Sequence, residues 1–307
     1  MSNMVQYGMW GNCPNHCKFC LRKDREQLPK ERILWEIEQT KKNLNLVDWK
    51  GKFSDGISLL GGELFHFTDK DIQDAFMTLI EDIINKVLKV SPTSVFSCVT
   101  NGMYEPSFLY RVMDRLRDAV GMDRVDIHFS YDLRYRFRSE KARKQVVKNI
   151  LDFQKRYNHI VVVQMILTQR VINLCREGIW SPTFLETEEI PGTILSFLYP
   201  HPIYDGNKKK TKHLKDFNFT RADLLWFMAW LKEHNERCYH SFISSTRNSG
   251  IYKYTGRFDK DLDGTAEMPK LTDGKDELLP CGHSKLYQCY SDSDKCMQCD
   301  LENLEEQ

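Results

Sequence analysis

The chain alternates between two spacings of apolar side chains. Phe76, Leu79, Ile80, Ile83, Ile84 and Val87 recur at intervals of three and four with charges between them, the stripe of an amphipathic helix. Val161, Val162 and Val163 are apolar without a break, which suits a strand of a parallel sheet covered by helices on both faces. Followed along the sequence, these patterns predict strands over 5–10, 56–60, 94–100, 124–130, 159–167 and 193–198. They predict helices over 30–46, 69–88, 107–120, 140–157, 169–177 and 221–236. Five strand–helix units and a sixth strand describe an α/β chain, a partial parallel (β/α)6 barrel with its site at the C-terminal ends of the strands.

A break follows the sixth strand, where Pro200, Pro202 and Gly206 precede the run Lys208, Lys209, Lys210, Thr211, Lys212. The expected division is a barrel over 1–206 and a C-terminal extension over 207–307 holding one helix and a loop-rich, cysteine-bearing stretch. A chain of 307 residues buries roughly 75% of its unfolded surface, so its core does not need disulfides. The longest dense apolar run, residues 160–167, is strand-sized and predicts no membrane span. The first residues carry neither a basic start nor an apolar signal core, which predicts a cytoplasmic protein. Ten cysteines in that setting point to metal or redox work rather than a disulfide framework. The net charge of +1 argues against general polyanion binding, although it hides local imbalance. Residues 134–156 hold 9 basic against 2 acidic side chains, and 259–307 hold 13 acidic against 5 basic.

Three cysteines lie close together directly after the first expected strand, as Cys13-Pro-Asn-His-Cys17-Lys-Phe-Cys20. Three neighbouring thiolates suit either an iron–sulfur cluster or zinc. A four-iron cluster normally takes four cysteines, so three leave one iron open to a ligand. Zinc would take His16 as its fourth ligand, which is poorly placed to share one tetrahedron with the adjacent Cys17. Cys98, Cys175 and Cys238 stand alone and read as small buried residues.

Further polar motifs sit at the ends of successive expected strands: Gly61-Gly62-Glu63 after the second, Thr100-Asn101-Gly102 after the third, Ser130-Tyr131-Asp132 after the fourth. Each alone is weak, a Gly-Gly pair being an ordinary turn. In this order behind the three-cysteine motif, with Phe19 before Cys20, they resemble the radical S-adenosylmethionine (radical SAM) family over about residues 5–205. The resemblance implies a [4Fe-4S] cluster on Cys13, Cys17 and Cys20, and S-adenosylmethionine bound at its open iron. It implies an oxidoreductase chemistry in which an electron breaks a C–S bond of the sulfonium and releases a 5′-deoxyadenosyl radical that takes hydrogen from carbon. It implies that Gly61, Gly62 and Glu63 meet the methionyl amino group, Glu63 offsetting its charge. It further implies that Phe19 packs near cluster and adenine, that Asn101, Ser130 and Asp132 lie along the cofactor, and that a basic residue of the fourth helix, Arg143, meets the methionyl carboxylate. A protein electron donor such as flavodoxin or ferredoxin is implied as well. The glycine-rich motif expected on a fifth strand is missing, Val162, Gln164 and Thr168 standing there instead, so no residue of that strand is assigned to the adenine.

A second cluster, Cys281, Cys289, Cys296 and Cys299, surrounds a short expected hairpin. It reads as zinc held by four thiolates or by three with His283, or as an auxiliary Fe–S cluster. The arrangement resembles the opening of the SPASM or twitch extensions of radical SAM enzymes, without the full seven-cysteine pattern. That resemblance implies a peptide or amino-acid-like substrate. Arg134, Arg136 and Arg138 after the fourth strand, with the lysine run, suit a nucleotide or nucleic acid instead. A zinc-stabilised, non-catalytic binding protein is the reading from another class; the intact three-cysteine motif and Glu63 speak against it.

Overall fold

A computed structural model describes residues 4–8, 13–15, 17, 28–44, 56–133, 136–137, 139–198 and 219–242. These fall into two compact units, one holding 4–8, 13–14, 28–44 and 56–129, the other 15, 17, 130–133, 136–137, 139–198 and 219–242. The division expected at residue 206 lies outside the described residues. The fold is α/β, with six strands among the described residues alternating with helices along the chain as a partial parallel (β/α)6 barrel requires.

In the first unit, β1 (Met4–Gly8), β2 (Gly56–Leu60), β3 (Val95–Thr100) and β4 (Val125–Ser130, its last residue falling in the second unit) pair in parallel. Between them run α1 (Lys30–Leu44), α2 (Lys70–Val90) and α3 (Pro106–Val120). Asp69 caps α2 by accepting from the N–H groups of Asp71 and Ile72, and Pro106 opens α3 where no N–H is needed. The parallel register lays Leu59, Cys98 and Ile127 in one row across the sheet, all buried. The neighbouring row holds Gln6, Ser58, Ser97 and Asp126. One face is thus the apolar core and the other carries polar residues. Gly56 starts β2 with φ +147°, and a Cβ there would lie 2.0 Å from the Val95 carbonyl oxygen, so this close strand approach requires glycine. Phe65, Phe76 and Phe108 meet edge-on with centroids 5.6–6.2 Å apart. They make a rigid floor for the loop after β2.

In the second unit, β5 (Val161–Ile166) pairs in parallel with β6 (Thr193–Leu198). Around them stand α4 (Glu140–Tyr157), α5 (Gln169–Arg176), the single turn α6 (Pro182–Phe184) with a π-helical turn Leu185–Glu189, and α7 (Arg221–His234). Thr220 and Asp223 form a reciprocal capping box on α7. Phe197 sits between Trp180, Phe227 and Phe242, with centroids 5.2–6.5 Å away.

Two expectations need correction. The strands are apolar in composition but not equally buried on both faces: Val161, Val163 and Met165 are buried, while Val162, Gln164 and Ile166 are only half-buried. That half-buried face carries Gln164 beside Ser196. The helix expected to reach residue 236 stops at His234, because Asn235 breaks it and caps a following helical segment, 236–242, by accepting from the Cys238 N–H. Among the described residues no helix is long and apolar enough to cross a membrane.

Candidate active site

The loops that leave β2 and β3 of the first unit meet at one carboxylate. Glu63 is fully buried. Its Oε1 accepts from the Thr100 hydroxyl at 2.8 Å and the Phe65 N–H at 3.2 Å, and its Oε2 accepts from the Asn101 N–H at 2.6 Å. A buried carboxylate is tolerable only when so satisfied, and three donors on one group also lock the two strand ends together. The Glu105 N–H adds a bond to the Phe65 carbonyl at 2.7 Å. His66, half-buried beside this loop, lies with Nδ1 2.8 Å from the Glu63 carbonyl oxygen. Burial pushes the His66 pKa down, partly offset by that bond.

Asn101 continues the network to sulfur. Its Oδ1 accepts from the Met103 N–H at 2.7 Å, and its Nδ2 donates to Cys13 Sγ at 3.3 Å. Gly102 follows with φ 76°, a conformation that favours glycine, and its N–H donates to the Thr100 hydroxyl. The first unit therefore brings together Cys13, Glu63 and Asn101, three residues expected from the sequence on separate strand ends. Gly61 and Gly62 are half-buried within the same loop.

The second unit holds Cys17, Ser130, Asp132 and Arg143. Cys17 is buried, with Arg136 Nη1 3.9 Å from its sulfur. Arg136 is fixed in turn by Asp132, whose Oδ1 accepts the Arg136 N–H at 3.0 Å and whose Oδ2 lies 3.2 Å from Arg136 Nε. Asp132, expected along the cofactor, is thus placed to orient Arg136. Arg143 donates to Glu140 through Nε at 2.8 Å and through Nη2 at 2.5 Å, to the Tyr131 hydroxyl at 2.6 Å, and pairs with Glu189. Tyr131 donates to the same Glu189 at 2.5 Å. Burial, with the Glu189 hydrogen bond and charge, pushes the Tyr131 pKa up, so the phenol stays protonated.

Periodicity and motif order gave no sign of Arg136 at Cys17, of His66 behind Glu63, or of Glu189. The π-helical turn bearing Glu189 has no spacing that announces it. Cys98, Cys175 and Cys238 are buried as expected, and burial pushes the Cys98 and Cys175 thiols up to about 12. Cys20, Phe19, His16, Arg134, Arg138, the lysine run and the C-terminal Cys281, His283, Cys289, Cys296 and Cys299 lie outside the described residues.

No family model and no curated protein matches the chain. Solved structures do. Streptococcus suis SuiB is 15% identical with a TM-score of 0.46, the match covering 76% of this chain and 48% of that one. SuiB bound to its precursor peptide SuiA gives 15% and 0.45, covering 76% and 47%. BtrN in complex with AdoMet and 2-DOIA gives 13% and 0.28, covering 54% and 57%. The chain spans about half the length of the solved structures it matches.

Proposed function

We propose that this chain is a radical SAM enzyme, carrying a [4Fe-4S] cluster on Cys13, Cys17 and Cys20 and binding S-adenosylmethionine beside it. The observation that carries the reading is the network in which Glu63, after β2, accepts the Asn101 N–H and Asn101, after β3, donates through its side-chain amide to the sulfur of Cys13. The donor set fits such a group. Cys13 and Cys17 each have an N–H donor facing sulfur, as ligating thiolates favour. When bound, the cluster and S-adenosylmethionine supply a one-electron cleavage of a C–S bond and a 5′-deoxyadenosyl radical that takes hydrogen from the substrate.

The protein's part is holding and orienting. Glu63, held by Phe65, Thr100 and Asn101, directly follows Gly61 and Gly62, where the methionyl amino group is assigned, and its negative charge favours an ammonium nearby. Ser130 and Asp132 are assigned to the cofactor's polar groups, Asp132 while holding Arg136. For Arg143 to take the methionyl carboxylate it must leave Glu140 and Glu189, which hold its guanidinium here. Phe19 is assigned to cover cluster and adenine.

Cys281, Cys289, Cys296 and Cys299 are assigned a second metal, an auxiliary Fe–S cluster or zinc. The substrate proposed is a peptide or amino-acid-like molecule, which the SPASM-like spacing of these cysteines favours. A nucleotide or nucleic acid is the second reading, favoured by the basic balance of residues 134–156. A cytoplasmic setting with flavodoxin or ferredoxin as electron donor completes the proposal. Anaerobic absorption spectra with iron and zinc counts test it, on wild type beside a Cys13/Cys17/Cys20→Ala triple variant. Brown protein that loses about four irons in the triple variant supports the reading. Colourless protein carrying only zinc supports the binding-protein alternative.

A further inference from the structure

Resting on that reading, we propose that Asn101 is a positioning residue that sets the reduction potential of the cluster through its N–H···S contact with Cys13. Three features of the geometry carry this. First, the amide has one sensible orientation: Oδ1 is taken by the Met103 N–H at 2.7 Å, so the side that faces Cys13 Sγ at 3.3 Å is the NH₂ donor. Second, Asn101 is only 4% exposed, so its dipole acts where water screens little. Third, its backbone cannot drift, because its own N–H is held at 2.6 Å by the buried Glu63 carboxylate. A donor so held gives a fixed positive end pointing at a ligating sulfur.

An added electron spreads negative charge onto the cysteine sulfurs, and an N–H donor stabilises that charge more in the reduced cluster than in the oxidised one. Hydrogen bonds to the sulfurs are among the features that set the potential of Fe–S clusters. Asn101 therefore eases reduction, and its loss makes the cluster harder to reduce. Cys13 and Asn101 are 88 positions apart in the chain, joined by the loops that follow β1 and β3.

The test is an EPR-monitored reductive titration of anaerobically purified, full-length protein, which follows the cluster itself rather than turnover. Wild type is compared with Asn101→Ala, Asn101→Ser and Thr100→Val. Serine keeps an oxygen for the Met103 N–H but does not reach sulfur as a donor, so it preserves the turn. Thr100→Val disturbs the same Glu63 network without touching sulfur. At a fixed applied potential near the midpoint, both Asn101 variants should show about a fivefold lower ratio of reduced to oxidised cluster, the size of one net hydrogen bond. Thr100→Val should titrate with wild type, and iron content should be unchanged in all. An unchanged midpoint in both Asn101 variants, or an equal shift in Thr100→Val, overturns the proposal. Loss of iron in both Asn101 variants also overturns it, by making Asn101 a holder of Cys13 rather than a tuner. Wild type that yields no iron–sulfur signal fails the radical SAM reading instead, so the two failures are told apart.

Discussion

Replacing Glu63 with glutamine separates its work in the fold from its assigned work on the cofactor. The side chain keeps its shape but loses its charge, and one oxygen becomes an NH₂ group. With Oε1 left to Thr100 and Phe65, the new NH₂ faces the Asn101 N–H across a 2.6 Å contact, donor against donor. The charge-assisted bond to Asn101 is lost, about 1.5–3 kcal/mol, and a fully buried donor is left unpaired, about 1–3 kcal/mol more. The two surviving bonds fall to neutral strength, roughly half of what they were. Allowing for relaxation, we expect a loss of about 4 kcal/mol. For a chain of this size that lowers Tm by about 6 °C. The assay is thermal unfolding followed by circular dichroism, without added S-adenosylmethionine. Thr100→Val should couple to Glu63→Gln, the double variant losing less than the sum, because both act on one hydrogen bond. A Tm within 2 °C of wild type would refute the reasoning. It would mean that Glu63 is not the tie between β2 and β3 and serves the ligand alone.

Asp223 should make the stability of α7 pH-dependent. Burial alone would raise its pKa, but the Thr220 N–H and hydroxyl and the Arg176 guanidinium outweigh that and hold it at about 2. Its folded value lies below the ordinary 3.8, so its contribution is full above pH ~4 and fades as pH falls toward 2. Thermal melts should show wild type above Asp223→Asn by about 1 kcal/mol at pH 7 and by much less at pH 3; an equal gap at both pH values contradicts this. Cys98 and Cys175, with pKa values near 12 from burial, should resist alkylation at pH 8 until the chain is denatured, as read by mass spectrometry. Native labelling of Cys98 would show that the core opens around it. A Cys296→Ala/Cys299→Ala variant should lose a second metal while keeping the first cluster and its cleavage of S-adenosylmethionine. About eight irons in wild type would identify that metal as Fe–S, and about four irons with one zinc as zinc.

Elements with a strong period and clear boundary residues were legible to the residue. β2 begins at a glycine that the strand packing requires, and α4 runs from the Ser139 cap to Asn158, which adopts the left-handed conformation. The segment 182–189 was not legible, because one α turn running into a π turn repeats no spacing long enough to register. The site divides in the same way. Motif order placed Cys13, Glu63 and Asn101 at strand ends, since local sequence marks where strands stop. It could not show that the Asn101 amide donates to the Cys13 sulfur, because that depends on the Met103 N–H taking its oxygen. Nor could a count of basic residues reveal that Arg143 is held by Glu140 and Glu189 while Arg136 stands beside Cys17. Partner choice among like residues is settled in three dimensions.

The central claim is that Cys13, Cys17 and Cys20 hold a cluster that drives reductive cleavage of S-adenosylmethionine. Its most direct test is chromatographic measurement of 5′-deoxyadenosine from anaerobic, dithionite-reduced protein given S-adenosylmethionine without substrate. Slow formation by wild type and none by Cys17→Ala is the expected result. Undiminished product from Cys17→Ala, or none from wild type with a full and reducible cluster, would contradict it.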